Sequence, residues 1–97
     1  MEKNKKEHTF YVLECKDGSF YAGYTNDLEK RISVHNEGKG AKYTRAKRPV
    51  LCIYNEIYET KQQAMQAEYA FKQLTRQQKI HYMGGQANNE IAKIDRT

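Results

Sequence analysis

Two short apolar runs lie near the start of the chain, Phe10 to Cys15 and Phe20 to Tyr24, both rich in aromatic and β-branched residues. Lys16-Asp17-Gly18-Ser19 separates them, and Asp-Gly between apolar runs is a hairpin signal, so the pattern predicts two antiparallel strands. The length of the loop decides where the side chains point. A strict two-residue loop at Asp17-Gly18 puts Tyr11 and Tyr21 on opposite faces, whereas a three-residue loop or a bulge puts both phenols on one face.

Beyond Tyr24 the period lengthens from strand to helix. Thr25 or Asn26 offers a capping oxygen, and Glu29 stands at the capping-box position counted from Asn26. Leu28 and Ile32 form the apolar stripe of this helix, and Arg31 and His35, four apart, share a neighbouring face. Val50 to Tyr58 reads as a third strand; its continuously apolar centre predicts the middle of the sheet, with protein on both faces. Thr60 caps a second helix, with Gln63 completing the box and Ala64, Ala67, Phe71 and Leu74 marking its buried stripe. Thr75 to Met83 can form a last short helix resting on Ile80 and Met83, stopped by Gly84-Gly85. The expected fold is α/β (α+β): a three-stranded antiparallel sheet flanked by helices, in the order β-β-α-β-α-α. Residues 1–7 read as a polar leader, 8–85 as the folded domain and 86–97 as a tail.

Two stretches do not fit a plain core-and-surface pattern. Residues 37–49 hold two glycines, Tyr43, the only proline and five cations, Lys39, Lys42, Arg45, Lys47 and Arg48, without strand or helix periodicity. They read as an exposed loop, either simply solvated or a collar that tracks phosphates and lets Tyr43 stack on a base. Glu68 interrupts the apolar stripe of the second helix, where a carboxylate is costly unless it is paired or binds a cation. Lys72, one turn on, is a ready partner.

Composition narrows the classes. At 97 residues the chain suits one small domain. Its formal charge of +5 favours a polyanionic partner. No run approaches the ~20 apolar residues of a membrane span, and no apolar signal core follows the basic start, so a cytoplasmic protein without a membrane partner is expected. Cys15 and Cys52 sit in strand-like runs as small hydrophobes, and His8, His35 and His81 lack zinc-ligand spacing.

The hairpin carries Phe10-Tyr11 in its first strand and Tyr21-Ala22-Gly23 in its second, followed by Lys30-Arg31 and His35 in the helix and by Glu68 in the next. In this order and spacing, residues 8–83 resemble the GIY-YIG nuclease superfamily, in particular its small stand-alone bacterial members. Thr9 replaces the leading glycine of the first triplet. Tyr24 stands where some relatives carry a lysine.

The resemblance implies divalent-metal-dependent hydrolysis of DNA phosphodiesters to 5′-phosphate and 3′-hydroxyl ends. It implies that both tyrosines line the site, and with that the three-residue loop or bulge in the hairpin, that Tyr21 is the general base and that Tyr11 orients the water or the partner phenol. His35 positions a tyrosine or the phosphate, or is itself the base. Arg31 suits the phosphate because its planar fork can hold two oxygens and keeps its charge. The resemblance makes Glu68 the ligand of the cofactor, Mg2+ or Mn2+; one carboxylate with waters and substrate phosphate is typical of magnesium. With no second domain for a long recognition sequence, structure-selective or weakly sequence-selective cleavage of branched, flapped or single-stranded DNA is expected. The competing class is a nucleic-acid-binding module with a nuclease-like fold and no turnover. No protein partner is indicated.

Overall fold

The structure, a computed structural model, describes residues 7–84. The expected leader, but for its last residue, and the expected tail fall outside that range. Strands β1 (His8–Glu14), β2 (Phe20–Thr25) and β3 (Leu51–Tyr58) pair antiparallel in the order β2-β1-β3. Helices α1 (Leu28–Asn36), α2 (Lys42–Arg45), α3 (Lys61–Lys72) and α4 (Arg76–Gly84) complete the fold. The expected order is present, with one addition, the single-turn α2 between α1 and β3.

The hairpin takes the three-residue loop. Cys15 donates its backbone N–H to Ser19 O at 2.8 Å, Gly18 donates to Cys15 O at 2.8 Å, and Gly18 adopts a φ of +88°, the left-handed conformation that glycine alone takes without steric cost. The resulting register sets Tyr21 opposite Leu13 and Gly23 opposite Tyr11. Because side chains alternate, Tyr11 and Tyr21 share a face.

Each face of the sheet has its own core. Phe10, Val12 and Ala22 pack with Phe71 of α3 on one side; Tyr11, Leu13 and Cys15 pack with Val50 on the other, beside Leu28 and Ile32 of α1. β1, flanked by strands and covered on both faces, is therefore the buried centre. This corrects the expected place of β3, which is an edge strand with Leu51 67% and Ile57 56% exposed. The physical reason lies in its register: Val12 pairs with Tyr54 but Leu13 with Cys52, so Ile53 is a bulge residue. The bulge switches the inward face halfway along, so Cys52 joins one core and Tyr54 the other. A half-buried strand with such a switch reads as continuously apolar.

Two further corrections concern the helices. The cap of α1 is Asp27, whose Oδ1 accepts the N–H of Lys30 at 3.3 Å, while Thr25 Oγ1 holds the N–H of Asp27 at 3.1 Å. The expected cap at Thr25 or Asn26 is displaced because Thr25 builds the turn before the helix. Residues 37–49 are not all exposed loop, since α2 lies within them and Thr44 is fully buried. The capping box of Thr60 and Gln63 forms as expected. The Asn36 side chain donates to Val50 O at 3.2 Å and accepts Val50 N–H at 2.8 Å, tying the end of α1 to the start of β3.

Candidate active site

Tyr11 begins on the central strand and its phenol extends across β2 at Gly23. A Cβ on Gly23 would stand 2.5 Å from Tyr11 Oη, so only glycine leaves the ring its seat. The phenol ends 3.2 Å from His35 Nε2 on α1. His35 Nδ1 lies 2.9 Å from Thr44 Oγ1, and Thr44 Oγ1 donates to Ala41 O at 3.0 Å. A hydroxyl has one proton. With that proton committed to Ala41, Thr44 must accept from Nδ1–H of His35, which leaves Nε2 bare to accept the phenolic proton of Tyr11. A Cβ on Gly40 would come within 2.4 Å of His35 Nδ1, so the backbone there closes directly over the imidazole.

The electrostatics keep the ring in its neutral form. His35 is fully buried, and burial, then the charge of Arg31, pushes its pKa below the ordinary value, so the ring is neutral at pH 7. Burial raises the Tyr11 phenol; a hydrogen bond from Arg31 and its charge oppose the rise, while Tyr21 and Glu68 add to it. The charges of Arg31, from α1, and of Glu68, from α3, thus both act on this phenol. Tyr21 is half-buried, its ring 5.3 Å from that of His35 at 61°. Of the five residues picked out from the sequence, Tyr11 and Tyr21 meet at His35, and Arg31 and Glu68 lie near enough to act on the Tyr11 phenol through their charge.

Residues 7–81 match the GIY-YIG catalytic domain. The chain belongs to the GIY-YIG family. It is 68% identical over 83 residues to a UPF0213 protein of Bacillus cereus, covering 86% of this chain and 84% of that one. It is 56% identical over 92 residues to the UPF0213 protein YazA of Bacillus subtilis, covering 95% and 91%. Two solution NMR structures share the fold. The protein EF2693 from E. faecalis is 55% identical, with a TM-score of 0.58 over 84% of this chain and 88% of that one. The UPF0213 protein BH0048 from Bacillus halodurans is 46% identical, with a TM-score of 0.52 over 78% and 81%. A GIY-YIG nuclease domain implies endonuclease activity on DNA; the UPF0213 designation itself names no reaction.

In this GIY-YIG domain the glutamate is held by an ion pair. Glu68 Oε2 lies 2.7 Å from Lys72 Nζ, and its side chain is 18% exposed. Among the described residues no three His, Cys, Asp or Glu side chains cluster as a metal site. Tyr24, in the position that carries lysine in some relatives, points away from Tyr11: its hydroxyl bonds His8 Nδ1 at 2.8 Å on the opposite face.

The basic collar divides into structural and exposed members. Lys47 bonds Asp17 at 3.1 Å and sits 4.1 Å over the Tyr43 ring, which docks α2 on the hairpin turn. Arg48 turns back to Arg45 O at 2.8 Å, and Lys39 lies 3.9 Å from Glu37. Lys42 and Arg45 are exposed. Tyr43 stacks on Tyr21 with ring centres 6.0 Å apart, 25° from parallel. Sequence reasoning missed Thr44, Gly40 and Asn36, and no local spacing signals them.

Proposed function

We propose that this GIY-YIG domain is a divalent-metal-dependent DNA endonuclease, selective for branched, flapped or single-stranded DNA rather than for a long sequence. One observation carries the reading: Tyr11, buried beside Arg31, hands its hydrogen bond to a neutral, tautomer-fixed His35. A phenol with an ordinary pKa of ~10 is a poor base at neutral pH, but one that passes its own proton to an imidazole as it takes another is not. We accordingly assign the general base to Tyr11, with His35 as its proton acceptor and Thr44 as the group that fixes the ring. The resemblance alone gave that role to Tyr21. Tyr21, edge-on to His35 and stacked on Tyr43, instead orients the water or the phosphate.

Arg31 holds the phosphate and neutralises charge developing on it. Glu68 fits a hard cation, Mg2+ or Mn2+. It is a mostly buried carboxylate whose ammonium partner, Lys72, is half exposed and free to turn away. The ion would supply charge neutralisation at the phosphate, with waters and substrate oxygens filling its remaining positions. Exposed Lys42 and Arg45, with Lys39, Tyr43, Lys47 and Arg48, bind the flanking strand. The domain spans residues 8–85 in this reading.

Cleavage of end-labelled single-stranded, duplex and branched DNA in magnesium or manganese tests the reading. Wild type is expected to cut and to stop in EDTA, and Glu68→Gln and Arg31→Ala are each expected to lose on the order of a hundredfold or more. Cutting that survives both EDTA and Glu68→Gln would overturn it. Salt-sensitive binding without cutting would instead favour the binding module, in which the Glu68–Lys72 pair is permanent.

A further inference from the structure

A second feature opens beside the candidate active site. A cavity of about 260 Å3 lies at the outer edge of β2, walled by Phe20, Tyr21, Tyr43 and Phe71, with Lys72 and Lys79 at its sides. It shares Tyr21 with the site, and Lys72 is the residue that pairs with Glu68. The cavity is therefore the immediate neighbour of the position where a scissile phosphate would stand.

Its walls have one chemistry. Four aromatic rings line it, and Tyr43, 45% exposed, lies nearly parallel to Tyr21 and extends a stacking platform toward solvent. The free charges around it are all positive. Lys79 Nζ stands 5.6 Å from the Phe71 ring centre, and the Arg76 guanidinium lies 4.4 Å over Phe20, where its NH2 also bonds Gly18 O at 3.2 Å. Among the described residues no Asp or Glu lines the cavity. Flat apolar walls with cations at the rim match a planar heterocycle joined to an anion.

Resting on the nuclease reading of the adjoining site, we propose that this cavity is a nucleotide subsite. It takes one unpaired nucleotide of the DNA strand next to the scissile phosphate, stacks its base on Tyr43 and contacts its phosphate with Lys79. The volume lies just below the ~300–1,000 Å3 of ordinary small-molecule sites, the scale of a single nucleotide rather than a base pair. A base inside a duplex is stacked and paired on both sides and enters only after unstacking, which costs a few kcal/mol. The subsite thus gives this domain its preference for unpaired DNA.

The test uses a duplex with a single-stranded flap, whose junction fixes the register, carrying 2-aminopurine at successive flap positions, and a fully paired duplex of the same sequence, bound in EDTA so that the strand stays intact. Stacking quenches 2-aminopurine emission. Wild type is expected to quench at one position only. Tyr43→Ala is expected to lose that quenching and about tenfold in affinity for the flapped DNA, within the range of one lost base–aromatic stack. Lys79→Glu is expected to weaken binding of the flapped DNA by a similar factor and of the paired duplex far less. Tyr43 is exposed and Lys79 partly so, and circular dichroism verifies that each variant is folded. Uniform quenching along the flap, or equal losses on flapped and fully paired DNA, overturns the subsite. If wild type cuts DNA yet shows no position-specific quenching, the subsite fails and the nuclease stands. If position-specific quenching depends on Tyr43 in a protein that cuts nothing, the subsite stands and the nuclease fails.

Discussion

Thr44 is a neutral residue among cations, yet its hydroxyl decides which nitrogen of His35 carries the proton. Thr44→Val keeps the shape and removes the acceptor, leaving a buried Nδ1–H unsatisfied at a cost of about 1–3 kcal/mol. The ring then has no reason to keep Nε2 bare. Long-range 15N correlation spectra are expected to show the Nδ1–H tautomer in wild type and a mixed or reversed tautomer in Thr44→Val. Cleavage should fall by more than about tenfold, part of the 10²–10⁴ that proton transfer ordinarily contributes, and Thr44→Ser should restore both. An unchanged tautomer in the folded valine variant would show that Thr44 only fills space. Arg31 and His35 were legible as a pair from their i,i+4 helical spacing, whereas Tyr11 and Tyr21 were placed on one face only by the resemblance, since the strand parity hung on the length of the loop. Thr44 was not legible, because a threonine in a basic stretch meets His35 only after α2 folds back.

At the scale of elements, a carboxylate ties the face of the sheet away from Tyr11 to α4, beside the packing of Tyr82 on Tyr54 and Phe71. Glu56 on β3 accepts hydrogen bonds from Tyr54, Tyr58 and Tyr82, the last from α4. Burial tends to raise its pKa, but the three hydroxyls outweigh that and hold it below the ordinary value; the same contact pushes Tyr58 up to about 12. A hydrogen bond to a charged group contributes about 1.5–3 kcal/mol. Glu56→Ala is therefore expected to speed amide hydrogen exchange in α4 by roughly ten- to a hundredfold, with β1 much less affected. Equal acceleration throughout would mean that Glu56 supports global stability rather than the docking of α4, which carries Lys79 and Arg76. The helices α1, α3 and α4 were legible from their apolar positions, and α3 also from its capping box. The edge position of β3 was not, since the Ile53 bulge depends on pairing with β1 and erases the alternation that marks a half-buried strand. Glu56 likewise reads as a solvated strand residue until Tyr82 is brought to it by the packing of α4.

For the whole molecule, the buried imidazole makes stability depend on pH in a defined direction. An unfolded histidine takes up its proton near pH 6.5, whereas native His35, held low by burial and by Arg31, takes it up only at lower pH. Between those values the unfolded state binds more protons, so the free energy of unfolding rises with pH, by at most about 1.4 kcal/mol per pH unit for one site. The contribution is complete above the ordinary histidine value and is lost as pH falls through the native one. Asp17, lowered to about 2 by Ser19 and Lys47, and Glu56, also lowered, act with the same sign, but only as pH falls below their ordinary carboxyl values. The two windows are separable. Urea midpoints of the wild type are expected to fall between pH 7 and pH 5, and His35→Gln should flatten that slope while keeping the loss below pH 4.5. Cleavage should fail on the same acid side, because a protonated His35 has no lone pair left for the proton of Tyr11. A cleavage profile with its acid limb above pH 6.5, or one that persists unchanged in His35→Gln, would separate the imidazole from the reaction and leave it a purely structural group.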